Sequence, residues 1–223
     1  VVQRVSYPVL SRIQDDRQRL KLAYKRVIKT TMLTTFVLML GLAACSESMI
    51  YVLIGEQWLQ CVPMLQIICT YGMLYPLHAL NLNMLQVQGR SDLFLRLEII
   101  KKAIGVGPLL LGIFANIYWM LAGTFVTSII SYYLNAYYSG PFLNYSIKEQ
   151  VRDILPSFGV ALAMAVPVYA MSFIPLNPFV LLPLQIVAGA MITITICEVT
   201  QLSEYLELKG IVMPILNKVI KRK

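Results

Sequence analysis

Residues Phe179–Val199 read FVLLPLQIVAGAMITITICEV, and their one charged side chain, Glu198, stands next to the end. A run of this length matches the roughly 20 apolar residues needed to cross a ~30 Å hydrocarbon layer as a helix. It does not alternate, as a barrel strand would. Similar stretches recur at about Val27–Cys45, Val62–Leu85, Leu93–Ala115, Ile117–Tyr138 and Ile154–Ile174. Six spans are therefore expected, and Val1–Leu10 looks like the tail of a further helix.

The composition agrees. Of 223 residues, 58% are hydrophobic and 13% charged, with a mean hydropathy of +0.69. Soluble domains carry roughly 25% charged residues. Disordered, collagen-like, coiled-coil and disulfide-scaffold classes fail on the same grounds. The fold class expected is an all-α integral membrane protein, a polytopic bundle. The chain opens on Val1, not Met, so it reads as the C-terminal part of a longer protein.

Orientation follows from the basic residues. Seven Lys/Arg lie in Arg12–Lys29, four in Arg90–Lys102, two at Lys148 and Arg152, and five in Lys209–Lys223; Arg4 completes the nineteen. If the spans alternate in direction, all of them fall on one side. The opposite connections carry only Glu47 and Glu56. The positive-inside rule makes the basic side cytoplasmic. The expected organisation is a helix end at 1–10, a basic loop at 11–26, four spans within 27–138, a loop at 139–153, two peripheral spans within 154–199 and a basic tail at 200–223. The formal charge of +8 then reflects topology and contact with anionic membrane lipids. It does not indicate nucleic-acid binding.

Polar residues inside spans are costly and face bundle interiors or wet cavities. Tyr71, Tyr75, His78 and Asn81 follow helical spacing on the second span, and Gln86 extends the stripe. Thr124, Ser128, Ser131, Asn135 and Tyr138 form another on the fourth, and Thr30, Thr31, Thr34 and Thr35 stand on the first. These stripes either line a hydrophilic passage, with aromatic faces for sugar rings, or join helix to helix. Arg96, Glu98, Lys101 and Lys102 open the third span. They either form a cationic site for phosphate or pyrophosphate or snorkel to the headgroups. Arg4 is a second candidate for that site. The residues after Leu202 read as a basic surface helix.

No phosphate loop, HExxH or metal-ligand spacing is found, so neither a cofactor nor a metal is expected, and the chain does not read as an enzyme. Cys45, Cys61, Cys69 and Cys197 read as small core residues, with a Cys45–Cys61 disulfide the alternative.

Three landmarks occur in order. They are Ser6–Asp16 (SYPVLSRIQDD), Leu53–Trp58 (LIGEQW) followed by Val62–Gln66 (VPMLQ), and Gly89–Glu98 (GRSDLFLRLE) with Lys101. Over roughly Val1–Leu155 the chain resembles the Wzx-like polysaccharide transporters of the multidrug/oligosaccharidyl-lipid/polysaccharide exporter superfamily. The resemblance implies a 12- to 14-helix protein of two six-helix lobes around a V-shaped cavity, of which this chain holds most of the C-terminal lobe. It implies a flippase that moves an undecaprenyl-pyrophosphate-linked oligosaccharide across the bacterial inner membrane for O-antigen, exopolysaccharide or capsule assembly. A polysaccharide polymerase or chain-length machinery is an implied partner. On charge and depth, Arg4, Arg96, Lys101 and Lys102 suit pyrophosphate capture, with Tyr71, Tyr75, His78 and Asn81 along the passage. Rival readings are a drug or metabolite exporter of the same superfamily, which would favour an acidic, aromatic pocket; a membrane polymerase or ligase; and a structural subunit.

Overall fold

The computed structural model describes residues 10–210. Arg4, the helix end at 1–10 apart from its last residue, and most of the basic tail lie outside them. The elements, in order, are α1 (Arg17–Ala44), α2 (Ser46–Leu53), a 3-10 turn (Glu56–Cys61), α3 (Val62–Gly72), α4 (Tyr75–Val87), α5 (Ser91–Phe114), α6 (Ile117–Leu143), α7 (Ile147–Ala170), a second 3-10 turn (Met171–Phe173) and α8 (Pro178–Thr200). Residues 203–210 are also helical. No strand occurs among the described residues, so the protein is an all-α polytopic membrane protein.

Local chemistry sets the helix starts. Asp16 caps α1 by accepting from the Arg19 amide at 3.0 Å, and Asn116 caps α6 by accepting from the amides of Tyr118 and Trp119. Ser146 caps α7 through the Glu149 amide, and Asn177 precedes Pro178 at the start of α8. Such side-chain oxygens satisfy amides that have no partner inside the helix. The turn between α6 and α7 is tight. The Tyr145 amide donates to Gly140 O at 3.0 Å, and a methyl group at position 140 would stand 2.9 Å from Tyr145 O.

Four helices are long and apolar enough to cross a membrane: α1, α6, α7 with its 3-10 extension, and α8. The other two expected spans differ for physical reasons. The second is broken into α3 and α4 at Met73–Leu74. Pro76 has no amide to donate to the preceding turn, and its ring disfavours a continuous helix there. The third, α5, is unbroken for 24 residues but carries its charges in the first half. Helix α1 begins ten residues before the apolar run, so the basic segment from Arg17 onward forms its first turns. All four cysteines are free, and Cys45, Cys69 and Cys197 are buried.

Helix α1 packs along α7, α5 pairs with α6, and α8 lies against α7 and α2. The main apolar core joins Leu20, Tyr24, Ile28, Met32 and Phe36 of α1 to Leu77, Leu80 and Met84 of α4 and to Ile154 and Ala161 of α7. Polar side chains enter this core as a closed set. The Asn81 carbonyl oxygen accepts from Tyr24 Oη at 3.1 Å, Ser139 Oγ at 2.6 Å and Gln150 Nε2 at 3.3 Å; its amide donates to Leu77 O and Gln150 Oε1. Four helices, α1, α4, α6 and α7, meet at one side chain.

Charges gather at the same end. Lys25 pairs with Glu149 at 2.5 Å and Asp153 at 3.2 Å, and Lys21 pairs with Glu149 at 3.2 Å. Both ammonium groups sit over the Tyr145 ring, whose hydroxyl donates to Asp153. Burial, then the Asp153 carboxylate, pushes the Tyr145 phenol up. The 203–210 helix is clamped to α1 by Lys29–Glu204 at 2.9 Å and Arg26–Glu207 at 2.6 Å. The opposite end is held by contacts such as Tyr51 on Phe179.

Two predictions follow from these contacts. Asn81→Leu strands the Tyr24 and Ser139 hydroxyls and the Gln150 amide, and should cost about 3 kcal/mol, read as a lower unfolding midpoint of the detergent-solubilised protein. The second concerns Glu204. Burial raises its carboxyl pKa, but hydrogen bonding and charge from Lys29 outweigh this and hold it below the ordinary value. A depressed folded pKa gives stability that is present above the ordinary carboxylate pKa of about 4 and lost as pH falls through the folded value. Hydrogen-exchange protection of residues 203–210 should therefore fall on acidification below about pH 4. In Glu204→Gln it should be low already at neutral pH.

Candidate functional site

The break between α3 and α4 opens one wall of a cavity of about 510 Å³. Tyr71 stands just before the break and Tyr75 just after it, and both line the space. Backbone that leaves the helix at membrane depth is tolerated where it borders protein or a cavity. One turn further, His78 and Ala79 continue the wall. Helix α5 supplies Phe94, Glu98 and Lys101, and α6 supplies Thr124, Thr127, Ser128 and Ser131. The spacing explains the selection. On α5 the three residues are i, i+4 and i+7; on α6 the four are i, i+3, i+4 and i+7, one face in each case.

The polar groups are partly occupied by one another. His78 Nε2 and Ser128 Oγ are 3.0 Å apart, while His78 Nδ1 is buried with no partner among the described residues. Tyr132 lies edge-on to the imidazole at 6.3 Å. Thr124 and Thr127 donate to carbonyls of their own helix. Lys101 is ion-paired with Glu98 three residues earlier on the same helix. The Lys101 side chain is 15% exposed and that of Glu98 34%. Lys101 stands ~15 Å along α5 from its first residue at 1.5 Å per residue.

The structure brings together Tyr71, Tyr75, His78 and Lys101 of the residues singled out from the sequence. The others lie elsewhere. Asn81 is fully buried in the four-helix polar set. Arg96 and Lys102 are exposed on α5 and do not line the cavity. Arg4 lies outside the described residues. Asn135, one turn past the α6 face, is buried with neither amide atom bonded among the described residues. Tyr138 packs edge-on against Tyr137, and Thr34 and Thr35 donate back into α1. Thr127, Phe94 and the cavity role of Glu98 escape the sequence reading. For Thr127 and Phe94 the signal was there in the i+3 and i+4 steps from residues already noted.

The Polysaccharide biosynthesis protein family matches residues 1–63. Three relatives align with most of the chain. An uncharacterized membrane protein in the cps region of Klebsiella pneumoniae is 27% identical over 75% of this chain and 34% of its own length. The lipopolysaccharide biosynthesis protein WzxC of Escherichia coli is 24% identical over 78% and 36%. The teichuronic acid biosynthesis protein TuaB of Bacillus subtilis is 22% identical over 77% and 36%. No solved structure matches. The chain spans about a third of the length of these relatives. The resemblance to Wzx-like polysaccharide transporters read from the sequence is borne out.

If the cavity is wet, Ser128→Cys and Thr124→Cys should react with a membrane-impermeant methanethiosulfonate reagent, in a background where the four native cysteines are replaced. Asn135→Cys should not. Equal labelling at all three positions would show that the α6 stripe does not separate cavity from core.

Proposed function

We propose that the full protein is a flippase that carries polyprenyl-pyrophosphate-linked oligosaccharides across the bacterial inner membrane for surface polysaccharide assembly, without covalent chemistry of its own. The basic end of the bundle is its cytoplasmic side. The observation that carries this reading is the convergence of a lysine, a histidine, two tyrosines and an α6 face of hydroxyls on one cavity. A glycan headgroup cannot cross ~30 Å of hydrocarbon unaided, whereas its polyprenyl tail stays in lipid. A polar cavity that opens to each side in turn supplies the route. Lys101 meets the pyrophosphate as a charge-assisted donor. Tyr71 and Tyr75 offer faces for sugar rings, and His78 with the α6 hydroxyls offers hydrogen bonds to them. Tyr75 is 73% exposed, on the open side of the cavity. A second lobe, as the resemblance implies, completes the enclosure there.

A second reading has one observation in its favour. Glu98 in an aromatic-lined cavity suits a cationic substrate, hence a drug or metabolite exporter. The two readings diverge at Lys101, which a cation exporter has no need of.

The test uses the intact parent gene, deleted in its host and restored with variants. Lys101→Ala should lower surface polysaccharide by tenfold or more at normal membrane levels, with complete lipid-linked repeat units building up on the cytoplasmic face. Lys102→Ala, exposed and off the cavity, should stay within twofold of the wild type. Normal export by a normally inserted Lys101→Ala protein would sink the assignment.

A further inference from the structure

The described lining of the cavity carries one negative and one positive side chain, Glu98 and Lys101. They are paired with each other. At rest the site is therefore neutral, and Lys101 already has an anion in place. We propose that Glu98 is a resident stand-in for substrate phosphate, and that an incoming group must displace it from Lys101 to bind. This rests on the flippase reading above and adds a specificity rule to it. The ligand class selected is a diphosphate, not a monophosphate.

Three features carry the inference. The pair is local, at i, i+3 on one helix, so Glu98 can leave Lys101 by a change of rotamer without the helix moving. The exposures are unequal, with Glu98 at more than twice the exposure of Lys101. The carboxylate can thus rotate toward water, while the ammonium stays in the cavity wall. The exchange is also charge-selective. A carboxylate brings one negative charge; a monophosphate ester brings at most two and a diphosphate ester up to three. Once Glu98 is displaced it still faces the site and repels whatever has replaced it. A ligand with more charge and more acceptor oxygens overcomes both the lost pair and that repulsion. A weaker anion does not. Arg96 and Lys102, exposed and off the cavity, do not relieve this competition.

The experiment measures binding of farnesyl diphosphate and farnesyl monophosphate to the full-length protein in lipid nanodiscs, for the wild type and for Glu98→Gln, Glu98→Ala and Lys101→Ala. The wild type should prefer the diphosphate. Glu98→Gln should bind the monophosphate about tenfold more tightly, the scale of one charge-assisted contact, and so narrow the preference. Glu98→Ala should act in the same direction, which guards against a folding defect in either variant. Lys101→Ala should weaken both ligands. Diphosphate binding that is intact in both Glu98 variants, with an unchanged ratio to the monophosphate, would overturn the stand-in role and leave the flippase reading standing. A wild type that binds neither ligand would overturn the flippase reading, and this inference with it.

Discussion

The structure hangs on the carboxamide of Asn81. Burying an amide in an apolar bundle is costly unless its lone pairs and protons are used, and at Asn81 both ends are. Tyr24, Ser139 and Gln150 converge on the oxygen, and the nitrogen returns to Leu77 O and Gln150. Because these partners come from α1, α6 and α7, each helix has one axial position at which the set closes. Apolar packing alone tolerates sliding; this set does not. The Lys21, Lys25, Glu149 and Asp153 pairs lie near the same end and lock the same register from the outside.

That anchor explains the placement of the cavity. On either side of Asn81 one face of α4 is packed into the core by Leu77, Leu80 and Met84. The same helix turns His78 and Tyr75 to another face, where with α5 and α6 they line the cavity. The outer faces tell the complementary story. Ile113, Phe114, Phe179 and Val180 are more than half exposed, as expected for side chains that meet lipid or another lobe, not water.

Hydropathy made most of the fold legible. Five expected spans correspond to continuous helices, because length and apolarity are strong constraints in a bilayer. The second span is the exception, broken just before Pro76, whose effect on backbone continuity is local and depends on what satisfies the freed carbonyls. The site was only half legible. Helical spacing put Tyr71, Tyr75 and His78 on one face, and the structure keeps them together. It could not separate Asn81 from them, since a polar residue on that face can point into water or into a neighbouring helix. Nor could charge alone tell Lys101 from Lys102. The two are adjacent in sequence but ~100° apart around the helix axis, and only packing decides which of them is turned inward.

The broken span has a mechanical consequence. Below the break, α4 is bolted to the core through Asn81. Above it, α3 is tied to the junction of α1 and α2, where Gln66 Nε2 donates to Ala43 O and Ser46 Oγ. The two helices are thus fixed at opposite ends and joined by only two residues, Met73 and Leu74. Tyr71 and Tyr75 sit one on either side of that link, so the angle between α3 and α4 sets the spacing of two aromatic rings in the cavity wall.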